Sequence, residues 1–468
     1  MTTTDGDTGA APTDTATGDT VTGDTLLRPI GGPMRRSRFY VALTAIVMAA
    51  AGVRVGYVLI VTRHENSKVY DSLWYGFTAL GLSIGQFFRV AFGTALSAAH
   101  PPVTSLLLAP SCWLFGFHAG TTPQRMTMAI LGTAVVFGVG LLGRALAGPW
   151  VGLTAALLAA GYPNFWIPNG ILMSETPAML GMALVLLAIV RLRRRPTVVS
   201  AVLLGVACGA EALVRAELIL FVPFLLVPAA LAARPASLGR KLGLLGLGVL
   251  ASGLVLAPWV GRNLATFKDP TYISTGDGLA LLGANCKQTY YGPTLGSWAL
   301  GCALAGSSRG DESVQASADQ HRAVTYAEHH EGRLPVVVAA RIGRLWDVYQ
   351  PIQMADYDVN EGRPRDASLA GLFMYWALVP LAVVGMVVLR RRRLRAWILL
   401  VPAGVLTLTA ALFYGLVRFR APFEVCLVVM AAPTLVLAVQ GTGRLVSWAA
   451  RRVTGRGGRH RRPVPVDA

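Results

Sequence analysis

The segment 69–110, VYDSLWYGFTALGLSIGQFFRVAFGTALSAAHPPVTSLLLAP, decides how this chain is read. It follows an apolar run at 40–61, and about 20 such residues suffice to cross the ~30 Å hydrocarbon core of a bilayer. It carries an acid, Asp71, among Tyr70, Trp74 and Tyr75. A His-Pro-Pro triplet beginning at His100 then opens a short apolar stretch that ends in Trp113 and Phe117. An acid in an aromatic belt beside a span belongs at a membrane surface. The rest of the chain reads as a scaffold that holds this loop over a membrane.

Of 468 residues, 54% are hydrophobic and 14% charged, well below the quarter or so that is charged in soluble domains. The chain is therefore read as a polytopic membrane protein. Its net charge of +18 does not point to nucleic acid, because the arginines fall in short clusters between apolar runs, at 191–195, 390–395 and 444–462. That is the positive-inside pattern rather than a binding stripe. Arginine far outnumbers lysine and Ala, Gly, Val and Leu are heavily used, which reads as a high-GC bacterial source and a plasma-membrane location. Residues 1–28 are Thr, Asp, Gly and Ala without an apolar core, so they predict a disordered tail rather than a signal peptide.

Parity of crossings orders the remainder. Further apolar runs lie near 103–117, 126–143, 149–168, 171–190, 197–213, 217–233, 242–260, 371–389, 396–414 and 422–440. Basic clusters at 34–38, 191–195, 234–241, 390–395 and 444–462 belong in the cytoplasm, so an even number of crossings separates each from the next. Five runs lie between 38 and 191, and one of them cannot cross. The 103–117 run is the shortest and holds Pro110, so it is predicted to lie flat on the outer surface. The fold class that follows is an all-α polytopic membrane protein of about ten transmembrane helices, with interfacial helices in the first external loop and a small external domain. Both termini fall inside.

The expected division is a cytoplasmic tail over 1–38 and a transmembrane module over 39–260, with spans 1–7 and an external loop at 62–122. An external domain follows over 261–369, then spans 8–10 over 370–443 and a basic cytoplasmic tail over 444–468. The external domain shows helical patterning at 311–350 and contains Cys286 and Cys302. In an oxidising compartment, with Gly and Pro in the segment between them, these two are predicted to form a disulfide. No CxxC or Cys/His spacing for a metal occurs. Cys112, Cys208 and Cys426 fall in apolar stretches, where a thiol behaves as a small hydrophobe.

Several charged residues reach the outer side on this topology. Glu175 follows Ser174, a candidate N-cap, and a glutamate in a first helical turn also suits the helix dipole. Glu211 and Arg215 are four apart and can pair on one helix face. Arg262-Asn263 ends the seventh span, and Arg418 and Arg420 lie in LVRFRAP at the last outer turn. Arginines outside run against the positive-inside bias, and holding an anionic headgroup gives them a reason to be there.

Taken in order, VYDSLWYG, AHPPVTSLL, ILMSETPAML, APWVGRNLATF and VRFRAP resemble the lipid-linked-sugar glycosyltransferases of the C fold, which include protein O-mannosyltransferases and lipid A aminoarabinose transferases. The resemblance covers residues 40–285 well and the C-terminal third loosely. It implies an inverting transfer of a mannose- or arabinose-like sugar from a polyprenyl-phosphate donor, on the outer face of the membrane. Asp71 would be the general base, with Glu175 as a second acid. His100, Arg215, Arg262, Arg418 and Arg420 would bind the substrate or the lipid phosphate. The implied partners are the lipid-linked donor, a glycan, lipid or protein acceptor, and membrane lipids. A divalent cation is the one cofactor kept as a candidate, with no metal ligand assigned. Asp71 is followed by Ser72 rather than by the second acid typical of protein O-mannosyltransferases, and the external loop is too short for their β-trefoil repeats. Two other classes use intramembrane charges or a similar span count: a lipid or sugar transporter or flippase, and a non-catalytic envelope-assembly protein.

Overall fold

In a computed structural model of the chain, residues 29–63, 70–90, 93–116, 120–234, 236–305, 310–392 and 396–454 are described, with side chains to 442. Expectations that fall on 1–28, Val69, Phe117, 393–395 and the basic tail from 455 lie outside the described residues. The described chain is helical, with one isolated antiparallel bridge between Arg89 and Leu96.

Helix α1 (Arg36–Gly56) continues as a π turn to Thr62. The first loop carries α2 (Tyr70–Ser83) and α3 (Val103–Phe115). The bundle continues through α4 (Thr122–Ala147), α5 (Pro149–Gly161), the single turn α6 (Pro163–Trp166), α7 (Glu175–Arg194) and α8 (Val198–Ala212). The next apolar run is not one regular helix, because Pro223 and Pro228 each remove an i to i−4 bond. It breaks into a 3-10 turn, a π turn and α9 (Val227–Leu231). Helix α10 (Leu238–Thr266) runs past the expected end at 260. Between it and α17 lie α11 (Gly276–Ala284), α12 (Lys287–Tyr291), α13 (Leu300–Leu304), α14 (Glu312–Glu328), α15 (Leu334–Leu345) and α16 (Pro351–Asn360). Helices α17 (Arg365–Arg391), α18 (Val401–Leu412) and α19 (Ala421–Thr454) complete the chain.

Six helical segments are long and apolar enough to cross a bilayer: Arg36–Thr62, Thr122–Ala147, Glu175–Arg194, Leu238–Thr266, Arg365–Arg391 and Val417–Thr442. Four shorter apolar segments, Pro149–Gly161, Val198–Ala212, Ala216–Leu231 and Ala396–Leu412, coincide with the other four expected spans. The fold is thus that of a polytopic all-α membrane protein. The α7 and α19 spans are each 72% buried within the protein, against 22% for α1 and α10, so the first two form its centre and the latter its rim. Small residues set the closest approaches. A Cβ on Gly205 of α8 would strike the Gly248 carbonyl of α10, and Gly152 of α5 sits against the α4 backbone. This packing suits a bilayer, where lipid tails supply no hydrophobic drive to bring helices together.

The segment between α10 and α17 is pinned at several points. Cys286 and Cys302 are joined in a disulfide across a separation of 16 residues, and closing a loop of about that size removes ~3 kcal/mol of unfolded-state freedom in the chain-entropy account. Asp311 caps α14 by accepting from the Ser313 and Val314 amides. Glu312 Oε2 accepts from the Ala98 amide at 2.8 Å and from Thr275 Oγ1 at 3.0 Å, tying this segment to the first loop. Arg341 donates to the Ala284, Ala411 and Leu412 carbonyls and so ties it to the end of α18.

The parity argument is open to direct test. In a background without free cysteines, single cysteines at 120 and 300 should react with a membrane-impermeant maleimide added outside, and one at 193 should react only after permeabilisation. A cytoplasmic position 120 would mean that the 103–115 helix crosses.

Candidate active site

Asp71 lies in the first turn of α2, where the helix dipole favours a carboxylate. Its Oδ2 accepts from Arg418 Nη1 at 3.0 Å, and its Oδ1 lies 3.4 Å from His100 Nε2. The His100 ring rests against Trp74 at 5.0 Å and Tyr75 at 4.9 Å, both on α2. Pro101 and Pro102 stop the chain after His100 and start α3, whose Ser105 Oγ donates to the Tyr75 carbonyl. Trp74 Nε1 donates to Ser97 Oγ at 3.0 Å and fixes the return of the loop. Burial pushes the Asp71 carboxyl up, but the Arg418 guanidinium and His100 outweigh it and hold it well below the usual carboxylate range. The side chain keeps 25% of its surface open.

Arg418 belongs to the 3-10 turn before α19 and bridges two acids. Its Nε lies 3.4 Å from Glu361 Oε1, on the far side from Asp71. Glu361 follows α16, and beside it Arg363 reaches Glu175 at 3.6 Å, Asp358 at 3.9 Å and Glu361 at 4.0 Å. Glu175 is almost wholly buried, and neither carboxylate oxygen has a hydrogen bond. Arg215 donates to Glu217 at 2.7 Å, stacks over Phe419 and feels the charges of Glu175 and Arg418. Asp71, His100, Arg418, Glu175 and Arg215 thus share one electrostatic neighbourhood.

Arg262 and Arg420 do not join it. Arg262 spends its donors on the Ser97 and Phe88 carbonyls and on Asn263 Oδ1, and lies over Trp259. It clamps the loop that leads to His100. Arg420 is fully buried, paired with Asp347 at 2.9 Å and Glu424 at 2.7 Å, with its guanidinium 3.5 Å from the centre of the Tyr375 ring. Asp347 takes a left-handed backbone (φ 52°) to meet it.

Two local expectations fail for backbone reasons. Ser174 has helical angles (φ −77°, ψ −8°) instead of the extended ones that aim an N-cap oxygen at the first turn, and its hydroxyl meets Tyr75 instead. Glu211 and Arg215 do not pair, because α8 ends at Ala212 and Arg215 is extended, which voids the i, i+4 geometry. Glu211 is left buried against Gly181 of α7 without a hydrogen bond. The residues missed in the sequence are Asp347, Asp358, Glu361 and Arg363. The dense charge of ADYDVNEGRPRD, abutting an apolar span, is the signal that marks the last three. Among the described residues, no group of three His, Cys, Asp or Glu side chains is placed to hold a metal, and the Asp71 oxygens already face Arg418 and His100. The cation hydrogen-bonded to Asp71 is the Arg418 guanidinium.

Burial pushes Asp277 and Asp347 up to about 6 and Glu361 up to about 7, the last against the pull of Arg418 and Arg363. Each folded value lies above the unfolded one, so the stability these groups contribute is fully present below the ordinary carboxylate range near ~4 and is lost as pH rises through about 6 to 7. Asp71 is shifted the other way, and its contribution is lost only at pH below this window. The thermal unfolding midpoint should therefore rise as pH falls from about 8 to about 5, and Glu361→Gln should flatten part of that slope. A midpoint that falls over this range would contradict the account. Arg420→Ala, which strands Asp347 and Glu424 in the interior, should cost about 3–5 kcal/mol in equilibrium unfolding.

The family model for dolichyl-phosphate-mannose-protein mannosyltransferase matches residues 99–260. No curated protein matches the chain in sequence. Among solved structures, the Archaeoglobus fulgidus oligosaccharyltransferase in its apo form is similar with a TM-score of 0.52 at 16% identity, over 91% of this chain and 53% of that one. The same archaeal enzyme, AglB, in complex with an inhibitory peptide and a dolichol-phosphate gives 0.51 at 18% identity, over 91% and 53%. ArnT from Cupriavidus metallidurans bound to undecaprenyl phosphate gives 0.43 at 14% identity, over 87% and 79%. The chain spans about half the length of the archaeal enzymes. At these identities the likeness is one of fold, and the fold of this chain is the C fold of the membrane glycosyltransferases.

Proposed function

We propose that this chain is a membrane glycosyltransferase that moves a sugar from a polyprenyl-phosphate donor to an envelope acceptor, on the outer face of a bacterial plasma membrane. The observation that carries this reading is the Asp71 carboxylate, partly open, with Arg418 at 3.0 Å and His100 at 3.4 Å in a helix-bounded loop. A base and a cation side by side are what the reaction needs. An acceptor hydroxyl gives its proton to Asp71 as its oxygen attacks the anomeric carbon. The bond from that carbon to the phosphate oxygen breaks, its electron pair goes to the phosphate, and the configuration inverts. Arg418 neutralises the departing phosphate, and a guanidinium fork suits phosphate oxygens.

His100 orients Asp71 and lies close enough to meet the same phosphate. Glu175, through Arg363 and Glu361, supplies the negative field that keeps the arginines charged and in place. Arg262 and Arg420 stay outside the site and hold the neighbouring loops in place. The segment between α10 and α17 roofs the loop and takes the acceptor, whether glycan, lipid or protein. The family model over 99–260 and the fold shared with a glycosyltransferase that binds dolichol-phosphate support this reading.

Asp71→Asn keeps the size of the side chain and removes its basicity. Transfer from a polyprenyl-phosphate sugar by the purified protein should fall by about 10²–10⁴-fold, with thermal unfolding still cooperative. Turnover near wild type in a correctly inserted variant would take Asp71 out of the chemistry.

A further inference from the structure

The same cation holds the base and is needed by the leaving group. Arg418 Nη1 donates to Asp71 Oδ2, while its Nε edge faces Glu361 Oε1. Met173 Sδ lies 3.8 Å from Nη1, Tyr414 hydrogen bonds with the Arg418 side chain, and Phe419 lies against its plane. A carboxylate engaged by a guanidinium is a weak proton acceptor, and the Nη1 donor that it holds is not open to a phosphate at the same time. For that donor the two roles are met in sequence. Asp71 holds Nη1 by a hydrogen bond while Glu361 faces Nε as an ion pair, so the first contact can be exchanged while the second stays. The Asp71 side of the contact is the open one, with 25% of that side chain exposed against 16% for Glu361, which Arg363 also braces.

We propose that Arg418 is handed from Asp71 to the donor's phosphate while Glu361 keeps its other edge, so that the base is freed only once the leaving group has been neutralised. This rests on the glycosyltransferase reading and adds an order of events to it. An incoming phosphate oxygen takes the Nη1 donor, which a planar fork presents at little reorganisation cost. Asp71 loses its counter-ion, regains basicity and is left facing the acceptor hydroxyl. Glu361 acts as a positioning residue.

The test is a double-mutant cycle on binding alone, with undecaprenyl phosphate as the probe and full-length protein in lipid nanodiscs. Asp71→Asn removes the competitor for Arg418, so it should bind the probe about tenfold more tightly than wild type, within the coupling range of contacting charges. The gain should vanish in the Arg418→Gln background. Measured at about pH 8.5, where Glu361 is ionised as Asp71 is, Glu361→Gln removes an equal charge from the same guanidinium and should give less than about half of that gain in binding free energy. Unchanged affinity in Asp71→Asn, a gain that survives in Arg418→Gln, or an equal gain in Glu361→Gln would each overturn the exchange. If the cycle behaves as expected but no donor supports transfer, the exchange stands and the glycosyltransferase reading falls. If the wild type does not bind the probe at all, both fall together.

Discussion

The ion pair between Asp71 and Arg418 joins residues 347 apart in the chain, and much of the architecture can be read as the means of making it. Neither charge could sit at this depth alone, since a charge stripped of water and left unpaired costs several kcal/mol. Pairing requires the start of α2, the proline-opened start of α3, the turn before α19 and the loop before α17 to converge on one point. The central spans α7 and α19 supply the fixed frame. The helices between α10 and α17 hold the Glu361 loop at that point, and the disulfide, Glu312 and Arg341 pin them.

Arginine is used in three ways here, and partner type separates them. Arg54, Arg262 and Arg341 give most of their hydrogen bonds to backbone carbonyls, which cannot change protonation and are held in place by the helices and turns that carry them. These are fasteners. Arg420 is locked between two buried acids and a tyrosine ring, with no exposed edge. Arg418 bridges two acids that both keep part of their surface open, Asp71 and Glu361. A cation in such a place is held firmly enough to be positioned and loosely enough to be taken, which is the condition for a transferable contact. Net charge or arginine count would not have separated these three.

That the chain is a polytopic all-α membrane protein was legible in the sequence because burying backbone in lipid forces long apolar runs, and six of them form helices long enough to cross. Asp71, His100 and Arg418, which the structure brings together, each carry a local mark in the sequence: an acid after a span, a His-Pro-Pro turn, an arginine in LVRFRAP. Glu361, Arg363 and Asp347 were not, since their meaning lies in partners far along the chain, and a charged loop end looks the same whether it faces water or an arginine. Arg262 shows the converse. Its motif invited a phosphate, yet its donors go to Phe88 and Ser97 carbonyls, and backbone acceptors leave no mark in side-chain identity. Ser174 and Arg215 fail at a finer scale, where one residue's φ and ψ decide whether a spacing rule applies.

Helix α3 is built with two unlike ends. At one end His100 packs on α2 and Ser105 donates to its Tyr75 carbonyl, while at the other Trp113, Leu114 and Phe115 stand 74%, 66% and 64% exposed. Apolar side chains so exposed suit the acyl boundary, as on interfacial helices. One helix thus joins a surface that favours lipid to the loop that carries Asp71, so whatever displaces its tip also bears on the site.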